Sequence, residues 1–215
     1  MKFSTFLVDL DETVYSSSCG LWGAIRDRID LYMAEKMGFD IEIIPDLRRS
    51  LFKEYGTTLR GLHSVYGMDP KEYLDFVHDL PLAKYLSLDP ILRDNLLQLP
   101  QKKVIFTNAD IAHARRVLTQ VGISECFEDI IDIFTIHPYC KPQPEAFKIA
   151  LKRAAVDDPS ECAFLDDNVP NLATAQKMGL FSIRVGSQEL STEYHRGISS
   201  LKDLPELMKS FEGIE

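Results

Sequence analysis

Short apolar runs alternate along this chain with stretches whose apolar residues recur at helical spacing. The runs are partly β-branched and occur at 3–10 (FSTFLVDL), 102–110 (KKVIFTNAD), 161–167 (ECAFLDD) and 180–186 (LFSIRVG), with a weaker one at 130–136 (IIDIFTI). Amphipathic patterns such as DIAHARRVLTQVG and PQPEAFKIALKRAAV lie between them. The first has Asp110 as a possible N-cap and Gly122 as a possible C-terminal glycine, and Asp89 is the N-cap expected for a helix in DPILRDNLLQLP. Strands that alternate with helices form βαβ units. The alternation therefore predicts an α/β fold with a Rossmann-like parallel sheet that carries helices on both faces.

Residues 16–88 do not follow this alternation. They contain four helical patterns punctuated by Gly and Pro: LWGAIRDRIDLYMAEKMGF, PDLRRSLFKEYG, TTLRGLHSVYG and DPKEYLDFVHDL. We therefore predict a core domain of residues 1–15 and 89–215, with an all-helical cap domain inserted at 16–88. Ligands of open α/β sheets bind outside the carboxyl ends of the strands, so an insertion after the first strand is placed to act as a lid.

Composition and charge exclude several classes of function. The chain has 215 residues, of which 45% are hydrophobic, and a net charge of −9 without a basic run interleaved with aromatic residues, so we expect no nucleic-acid polymer as partner. No apolar run approaches the length of a membrane span, and we expect no membrane association. The four cysteines are scattered without metal-ligand spacing, which favours reduced thiols and a cytoplasmic protein. Nothing in the sequence indicates the oligomeric state.

Polar side chains follow the predicted strands at the points where these end: Asp9 and Asp11, Thr107 and Asn108, and Asp166 and Asp167, with Lys141 just before a later helix. In a parallel sheet these ends meet at one edge. We expect three or four of these carboxylates to gather within a few ångströms, where they would repel one another unless a cation were bound. Because the candidate ligands are all oxygen atoms, the pattern favours Mg²⁺ over zinc.

This set of groups suits phosphoryl transfer to a carboxylate. One aspartate can act as a nucleophile, and a second carboxylate two residues on can move a proton. Lys141 and the cation would offset the charge of a phosphoryl group, and the Thr107 hydroxyl could hold its oxygens. The sequence therefore predicts an enzyme that acts on a small phosphorylated metabolite. A phosphoryl-accepting signalling receiver and a catalytically inactive binding protein are the alternatives, and the helical insertion argues against the receiver.

The motifs DLDET, FTN, CKPQPEAF and FLDDN, in this order, resemble those of the haloacid dehalogenase (HAD) superfamily of aspartate-nucleophile phosphohydrolases. The resemblance covers essentially the whole chain, and the helical block matches the position of that superfamily's C1-type cap. The stretches EYGTTLRGL, LRDNLLQLPQKKVIFTNADIAHARRVL and FLDDNVPNL are similar to the pyrimidine 5′-nucleotidase-like branch. This implies an enzyme of nucleotide metabolism, a Mg²⁺-dependent phosphatase of nucleoside 5′-monophosphates. A phosphatase or phosphomutase acting on another phosphometabolite, such as a sugar phosphate, is the alternative.

The resemblance also implies a role for each motif residue. Asp9 would be the nucleophile and a magnesium ligand, and Asp11 the general acid/base, with its backbone carbonyl on the metal. An acid at Asp11 counts against a dehalogenase, because a halide leaving group needs no proton. Thr107 and Asn108 would bind phosphate, and Lys141 would orient and neutralise it.

The fourth motif carries the remaining metal ligands. Asp167 aligns with the direct metal ligand of the superfamily, and Asp166 stands beside it. Asn171 occupies the place where many relatives carry a further acid. Which of Asp166 and Asp167 contacts the metal directly is therefore left open.

Among the connections between the predicted cap helices, the stretch YGTTLRG is the most loop-like. Tyr55, Thr57, Thr58 and Arg60 offer the stacking and hydrogen-bonding groups that hold a nucleoside. The alternative is that Thr57 or Thr58 caps a helix and that Arg60 is solvated. The five histidines show no ligand spacing and receive no role: His63, His78, His113, His137 and His195.

Overall fold

Six strands form one sheet within residues 3–212, which are the residues that the computed structural model describes. They are β1 (Thr5–Val8), β2 (Lys102–Phe106), β3 (Asp129–Ile131), β4 (Cys162–Asp166), β5 (Phe181–Val185) and β6 (Arg196–Ile198). The helices are α1 (Leu21–Glu35), α2 (Ile44–Tyr55), α3 (Thr58–Tyr66), α4 (Pro70–Val77), α5 (Pro90–Leu97), α6 (Ile111–Val121), α7 (Pro144–Arg153), α8 (Val169–Lys177) and α9 (Leu204–Glu212). Residues 1, 2 and 213–215 of the predicted core domain lie outside the described residues.

The strands are all parallel, in the order β3-β2-β1-β4-β5-β6. The chain thus builds outward from β1 through β2 to β3, and then returns to the other side of β1 to add β4. The predicted α/β class with a parallel sheet is confirmed. The reversal between β1 and β4 matters for function, because open α/β sheets bind ligands at the carboxyl ends of the strands where the order reverses.

The central strands β1 and β4 are buried along their whole length, as expected where helices cover both faces of a parallel sheet. All four residues of β1 are buried, and so are all five residues of β4. Phe106, Phe147 and Phe164 form an aromatic cluster, with ring centroids 5.1 to 5.9 Å apart, beneath the carboxyl ends of β2 and β4. This packing fixes the strand ends that carry the polar residues.

Helix caps fall where the sequence places them. The Asp89 carboxylate accepts a hydrogen bond from the N–H of Leu92 at the start of α5, and the Asp110 carboxylate accepts one from the N–H of His113 at the start of α6. Gly122 ends α6 with a φ of 80°, a left-handed conformation that suits glycine. Both predicted N-caps and this C-terminal glycine are confirmed.

The chain divides into two compact units. The first comprises the chain up to Cys19 and from Leu86 onward and contains the sheet with α5 to α9. The second, Gly20–Tyr85, consists of α1 to α4 and a short 3₁₀ helix at Leu82–Lys84. Tyr32 and Tyr73 pack edge to face in its interior, with ring centroids 5.2 Å apart. The boundaries at 16 and 88 that the sequence predicted differ from these unit limits by a few residues.

Two strand predictions need correction. The weak run at 130–136 is a strand only to Ile131, because the Asp132 carboxylate accepts hydrogen bonds from the N–H and hydroxyl of Thr135 and from the N–H of Ile111, which turn the chain. The strand β6 was not predicted, because it consists of Arg196, Gly197 and Ile198 and so lacks an apolar run.

Within residues 3–212, none of the helices combines the length and the apolar character needed to cross a bilayer.

Candidate active site

Two aspartates meet at the reversal in strand order. Asp9 directly follows β1, and Asp166 is the last residue of the neighbouring β4. The N–H of Asp9 donates to the carbonyl of Leu165 at 2.8 Å, which continues the β1–β4 ladder beyond the strand and fixes the backbone of Asp9. Parallel pairing thus brings together two motifs that are 157 positions apart in the sequence.

Three carboxylates gather at this edge. Oxygen atoms of Asp9, Asp166 and Asp167 lie within 4.8 Å of one another, and this is the group of potential metal-binding side chains within residues 3–212. The Nζ atom of Lys141 bridges two of them, at 2.6 Å from Asp9 Oδ1 and 2.8 Å from Asp166 Oδ2. The geometry places a nucleophile candidate beside an ammonium group.

Asp166 is saturated with hydrogen bonds. Its Oδ1 accepts from the N–H of Asn168 at 2.8 Å and from Asn171 Nδ2 at 3.1 Å. Its Oδ2 accepts from Asn171 Nδ2 at 3.0 Å and from Lys141 Nζ. The asparagine that replaces a further acid at position 171 therefore serves to hold Asp166, whose carboxylate is fully buried.

Burial and the nearby negative charges shift the pKa values of the acids in this group. Burial, together with the charges of Asp166 and Asp167, raises the pKa of Asp9 well above its usual value despite the opposing effect of Lys141. Burial and the charges of Asp166 and Glu12 raise the pKa of Asp167 to about 6. Burial alone would lower the pKa of Lys141, but the carboxylates of Asp166 and Asp9 outweigh it and raise that pKa. Three carboxylates against one ammonium leave an excess of negative charge.

This excess and the donor set suit a divalent cation. The three side chains offer only oxygen ligands, which Mg²⁺ prefers, and a cation would relieve the repulsion that raises the pKa values of Asp9 and Asp167. The residues therefore fit the predicted ion.

Lys141 is held by its backbone as well as by its charge. The side-chain amide of Asn108 donates to the Lys141 carbonyl at 3.0 Å and accepts from the Lys141 N–H at 2.9 Å. The ammonium group also lies 5.2 Å from the ring centroid of Phe106 and 5.4 Å from that of Phe164. Asn108, predicted to bind phosphate, thus uses its side chain to position Lys141.

Thr107, the other predicted phosphate ligand, directly follows β2 and is 2% exposed. Its hydroxyl oxygen accepts a hydrogen bond from the N–H of Ala109 at 3.0 Å. This contact shapes the turn between β2 and α6, in which the backbone reverses at the same edge of the sheet.

Asp11 does not join the carboxylate group, so three of the expected three or four carboxylates gather. The strand ends at Val8, so Asp11 lies in a turn whose direction is set by local hydrogen bonds and a left-handed Glu12 (φ 60°) rather than by strand periodicity. Its Oδ1 atom instead lies 2.7 Å from the Tyr15 hydroxyl and 2.9 Å from His113 Nε2.

Tyr15 is a permanent donor in this contact. Burial and the negative charge of Asp11 raise the pKa of Tyr15 far above its usual value, so the phenol stays protonated and donates to the carboxylate. Sequence reasoning assigned no role to Tyr15 or to His113. The available signal was position: His113 lies three residues after the predicted N-cap Asp110, and so in the first turn of a helix that begins at the active edge.

The four predicted nucleoside-binding residues all lie in the second unit. Tyr55 ends α2, Thr57 is the N-cap of α3 and Thr58 is its first residue, so the predicted loop is only two residues long. The Thr57 hydroxyl accepts from the N–H of Arg60 at 3.1 Å, and Arg60 Nη1 donates to the Tyr55 carbonyl at 2.8 Å. Thr57 thus caps a helix, as the alternative interpretation predicted, and this cap allows α3 to begin at once.

Comparisons with known proteins give concordant matches. A family model described as haloacid dehalogenase-like hydrolase matches residues 3–179. Phosphate metabolism protein 8 of Saccharomyces cerevisiae is 29% identical over 226 residues, which cover 94% of this chain and 70% of that protein. The magnesium-bound HAD-hydrolase YfnB from Bacillus subtilis superposes with a TM-score of 0.67 at 17% identity, covering 97% of this chain and 100% of that one. A β-phosphoglucomutase from Clostridium difficile gives 0.65 at 20% identity, covering 98% and 97%. At these identities the two structures show a shared fold.

Proposed function

Since the chain belongs to the haloacid dehalogenase-like hydrolase family, we propose that it is a Mg²⁺-dependent phosphomonoesterase that acts on a nucleoside 5′-monophosphate. The observation that carries the proposal is the ammonium group of Lys141 bridging Asp9 and Asp166 at the strand-order reversal. A carboxylate fixed beside a cationic group is what an aspartate nucleophile requires when it attacks an anionic phosphoryl group.

Asp9 is the nucleophile in this proposal and Asp11 moves the protons. An oxygen of Asp9 attacks phosphorus, the bond from phosphorus to the leaving oxygen breaks, and that oxygen takes a proton from Asp11. Water then attacks the aspartyl phosphate and gives a proton to Asp11, while the bond between phosphorus and the Asp9 oxygen breaks and releases phosphate.

Lys141 keeps Asp9 in place and offsets charge on the phosphoryl group. Its contact with Asp9 Oδ1 orients that carboxylate, and its positive charge reduces the repulsion between two anions. Asn108 maintains this arrangement through its two hydrogen bonds to the Lys141 backbone. Thr107 and the backbone N–H groups of the turn that follows β2 supply the contacts to phosphate oxygens.

Asp9 and Asp167 are the side chains proposed to hold Mg²⁺ directly, together with the backbone carbonyl of Asp11. Asp166 already accepts from Asn168, Asn171 and Lys141, which favours an indirect role for its carboxylate. Bound Mg²⁺ supplies positive charge against the phosphoryl oxygens, beyond what Lys141 provides.

The nucleotide substrate rests on the sequence resemblance, with Tyr55, Thr57, Thr58 and Arg60 of the second unit as candidate nucleoside contacts. The matched yeast protein is named for phosphate metabolism, which agrees with a phosphatase. Thr57 and Arg60 also make the α2–α3 connection within that unit.

The phosphatase proposal is tested with p-nitrophenyl phosphate. We expect hydrolysis in Mg²⁺, loss of activity in EDTA and recovery on adding Mg²⁺. Asp9→Asn should lower kcat by at least about 10³-fold, because an amide does not replace the nucleophile. Asp94→Asn, which changes an exposed aspartate of α5, is the control and should keep full activity. Full turnover by Asp9→Asn, or by the wild type in EDTA, would contradict the mechanism.

A panel of phosphorylated metabolites tests the substrate. We expect UMP and CMP to give a higher kcat/KM than AMP and sugar phosphates, with release of inorganic phosphate. A sugar phosphate far ahead of the nucleotides would reject the nucleotide substrate and keep the phosphatase. Conversion of a sugar phosphate to an isomer without phosphate release would instead identify a phosphomutase.

A further inference from the structure

The carboxyl group of Asp11 is held from two directions. Tyr15 lies four residues further along the same turn, whereas His113 is 102 positions away in α6. Both contacts fall on the same atom, Oδ1, at 2.7 Å from the Tyr15 hydroxyl and 2.9 Å from His113 Nε2. Two contacts to one oxygen restrict the rotation of a carboxyl group about its last single bond.

The support behind His113 is itself rigid. The Asp110 carboxylate accepts the N–H of His113 at 2.9 Å, and Asp132 accepts the N–H of Ile111 at 3.1 Å, so the first turn of α6 is fixed by two carboxylates. The imidazole is completely buried, whereas the side chain of Asp11 keeps 14% of its surface exposed. The histidine therefore belongs to the scaffold and the aspartate faces outward from it.

A purely structural hydrogen bond would explain the burial of His113. It would not explain why the partner is the aspartate two residues after Asp9, nor why Tyr15 meets the same oxygen. An acid that must deliver a proton has to lie within hydrogen-bond reach of the leaving oxygen at the moment of bond cleavage, and a loosely held carboxyl group does so only part of the time.

We propose that His113 and Tyr15 are positioning residues that hold Asp11 in the orientation in which it protonates the leaving group. The inference rests on the proposed function. The proton transferred is that of Asp11: it passes to the leaving oxygen as the bond between phosphorus and that oxygen breaks, and neither His113 nor Tyr15 takes part in the transfer.

The leaving group provides a readout that a loss of stability would not imitate. p-Nitrophenolate is weakly basic and leaves without a proton, whereas phenolate is more basic and benefits from one. Phenyl phosphate and p-nitrophenyl phosphate are otherwise nearly alike, and kcat/KM reports the step in which the leaving group departs. Misplacing Asp11 should therefore lower kcat/KM for phenyl phosphate selectively.

The variants are His113→Leu, which removes the contact, and His113→Gln, whose amide can restore a donor near the position of Nε2. Tyr15→Phe removes only a hydroxyl, and Tyr73→Phe is its matched control, a buried tyrosine of the second unit. We expect His113→Leu and Tyr15→Phe to lower kcat/KM at least about 10-fold for phenyl phosphate and less than about 3-fold for p-nitrophenyl phosphate. His113→Gln should recover much of the loss, and Tyr73→Phe should match the wild type.

Asp11→Asn completes the design. If His113 acts through Asp11, adding His113→Leu to Asp11→Asn should cause little further loss. Equal losses for both substrates, unchanged kinetics in both single variants, or a full additional loss in the Asp11→Asn background would each overturn the inference while the phosphatase proposal stands. Absence of Mg²⁺-dependent hydrolysis by the wild type would overturn both. If His113→Leu does not fold, Tyr15→Phe gives the same comparison, with Tyr73→Phe as its control.

Discussion

Asp9 and Asp11 belong to the same motif but occupy different electrostatic surroundings. Asp9 lies against the Lys141 ammonium and two other carboxylates, whereas Asp11 lies against a phenol and an imidazole. The Lys141 ammonium, together with a bound cation, would keep the first group charged for attack. The second lies among hydrogen-bonding groups rather than beside further carboxylates, which suits a group that exchanges a proton. This division agrees with the proposed roles of nucleophile and general acid/base.

Asp167 gives a pH-dependent prediction at this scale. Its folded-state pKa of about 6 lies above the ordinary 3.8, so the folded, metal-free protein binds a proton more tightly than the unfolded chain between these values. The charged form therefore destabilises the fold above pH 6, and acidification relieves this cost. After allowance for solvent screening, the relief between pH 7 and pH 5 should be about 1 kcal/mol.

The measurement is urea unfolding of the wild type and Asp167→Asn in EDTA at both pH values. The wild type should gain about 1 kcal/mol of unfolding free energy relative to the variant as the pH falls from 7 to 5. The exposed-site variant Asp94→Asn serves as a reference and should follow the wild type. A constant difference between wild type and Asp167→Asn at both pH values would contradict the raised pKa.

Individual residues were predictable to different degrees. Asp9 and Asp166 could be placed together because strand ends in a parallel sheet converge, whereas Lys141, in the loop before α7, was assigned to the same site through its motif. Asp11 could not be placed accurately, because its direction depends on a turn of which Glu12 is in the left-handed region. His113 shows no ligand spacing, and its role becomes visible only when α6 is placed beside the turn after β1.

At the scale of elements, the packing of α2 against α3 depends on a glycine. A Cβ atom at Gly61 in α3 would lie 2.7 Å from Cβ and 2.8 Å from Cδ2 of the buried Leu51 in α2. Gly61→Ala should therefore destabilise the second unit by about 1–3 kcal/mol through overpacking. Gly23 in α1 has no atom within 4 Å of the same position, so Gly23→Ala should be neutral or stabilising by up to about 1 kcal/mol.

The single tryptophan, Trp22, lies in α1 of the same unit and reports its unfolding by fluorescence. Urea denaturation followed by this signal compares the two alanine variants directly. The prediction is wrong if Gly61→Ala unfolds at the same urea concentration as Gly23→Ala. Both substitutions improve intrinsic helix propensity. If the two changes in the free energy of unfolding have opposite signs, the difference is therefore due to the contact with Leu51.

Elements were predicted well where a periodic pattern was long and less well where it was short. The helices α1 to α8 and the strands β1, β2, β4 and β5 correspond to patterns in the sequence. The strand predicted at 130–136 was too long because Asp132 turns the chain. The strand β6 was missed because a three-residue strand that contains a glycine has no recognisable hydrophobic pattern. Such short elements are defined by the neighbours with which they pair.

At the scale of the molecule, the proposed metal site exists only when the sheet is formed. Its side chains come from positions 9, 166 and 167, and the parallel pairing of β1 with β4 brings them together. An unfolded chain has no comparable site, so Mg²⁺ should stabilise the folded state by linkage. At about 100 times the dissociation constant the gain is about 2.7 kcal/mol.

Thermal unfolding in EDTA and in increasing Mg²⁺ tests this expectation. The Tm of the wild type should rise with Mg²⁺ concentration and return on chelation, and Asp94→Asn should behave in the same way. Asp167→Asn should lose most of the shift, since it removes a proposed ligand. A wild-type Tm that is independent of Mg²⁺ would contradict the site, whatever the catalytic results.

The sequence by itself determined the α/β class, the helical insertion and the positions of the acidic and basic motif residues. These follow from periodicity and from the rule that parallel strands end at one edge, and both are local or topological properties. Only the tertiary structure decided that Asn171 and Asn108 hold Asp166 and Lys141, that Asp11 stands apart from the three carboxylates, and that His113 and Tyr15 meet it. Those contacts depend on turn conformation and on distances between distant segments, which no spacing in the sequence encodes.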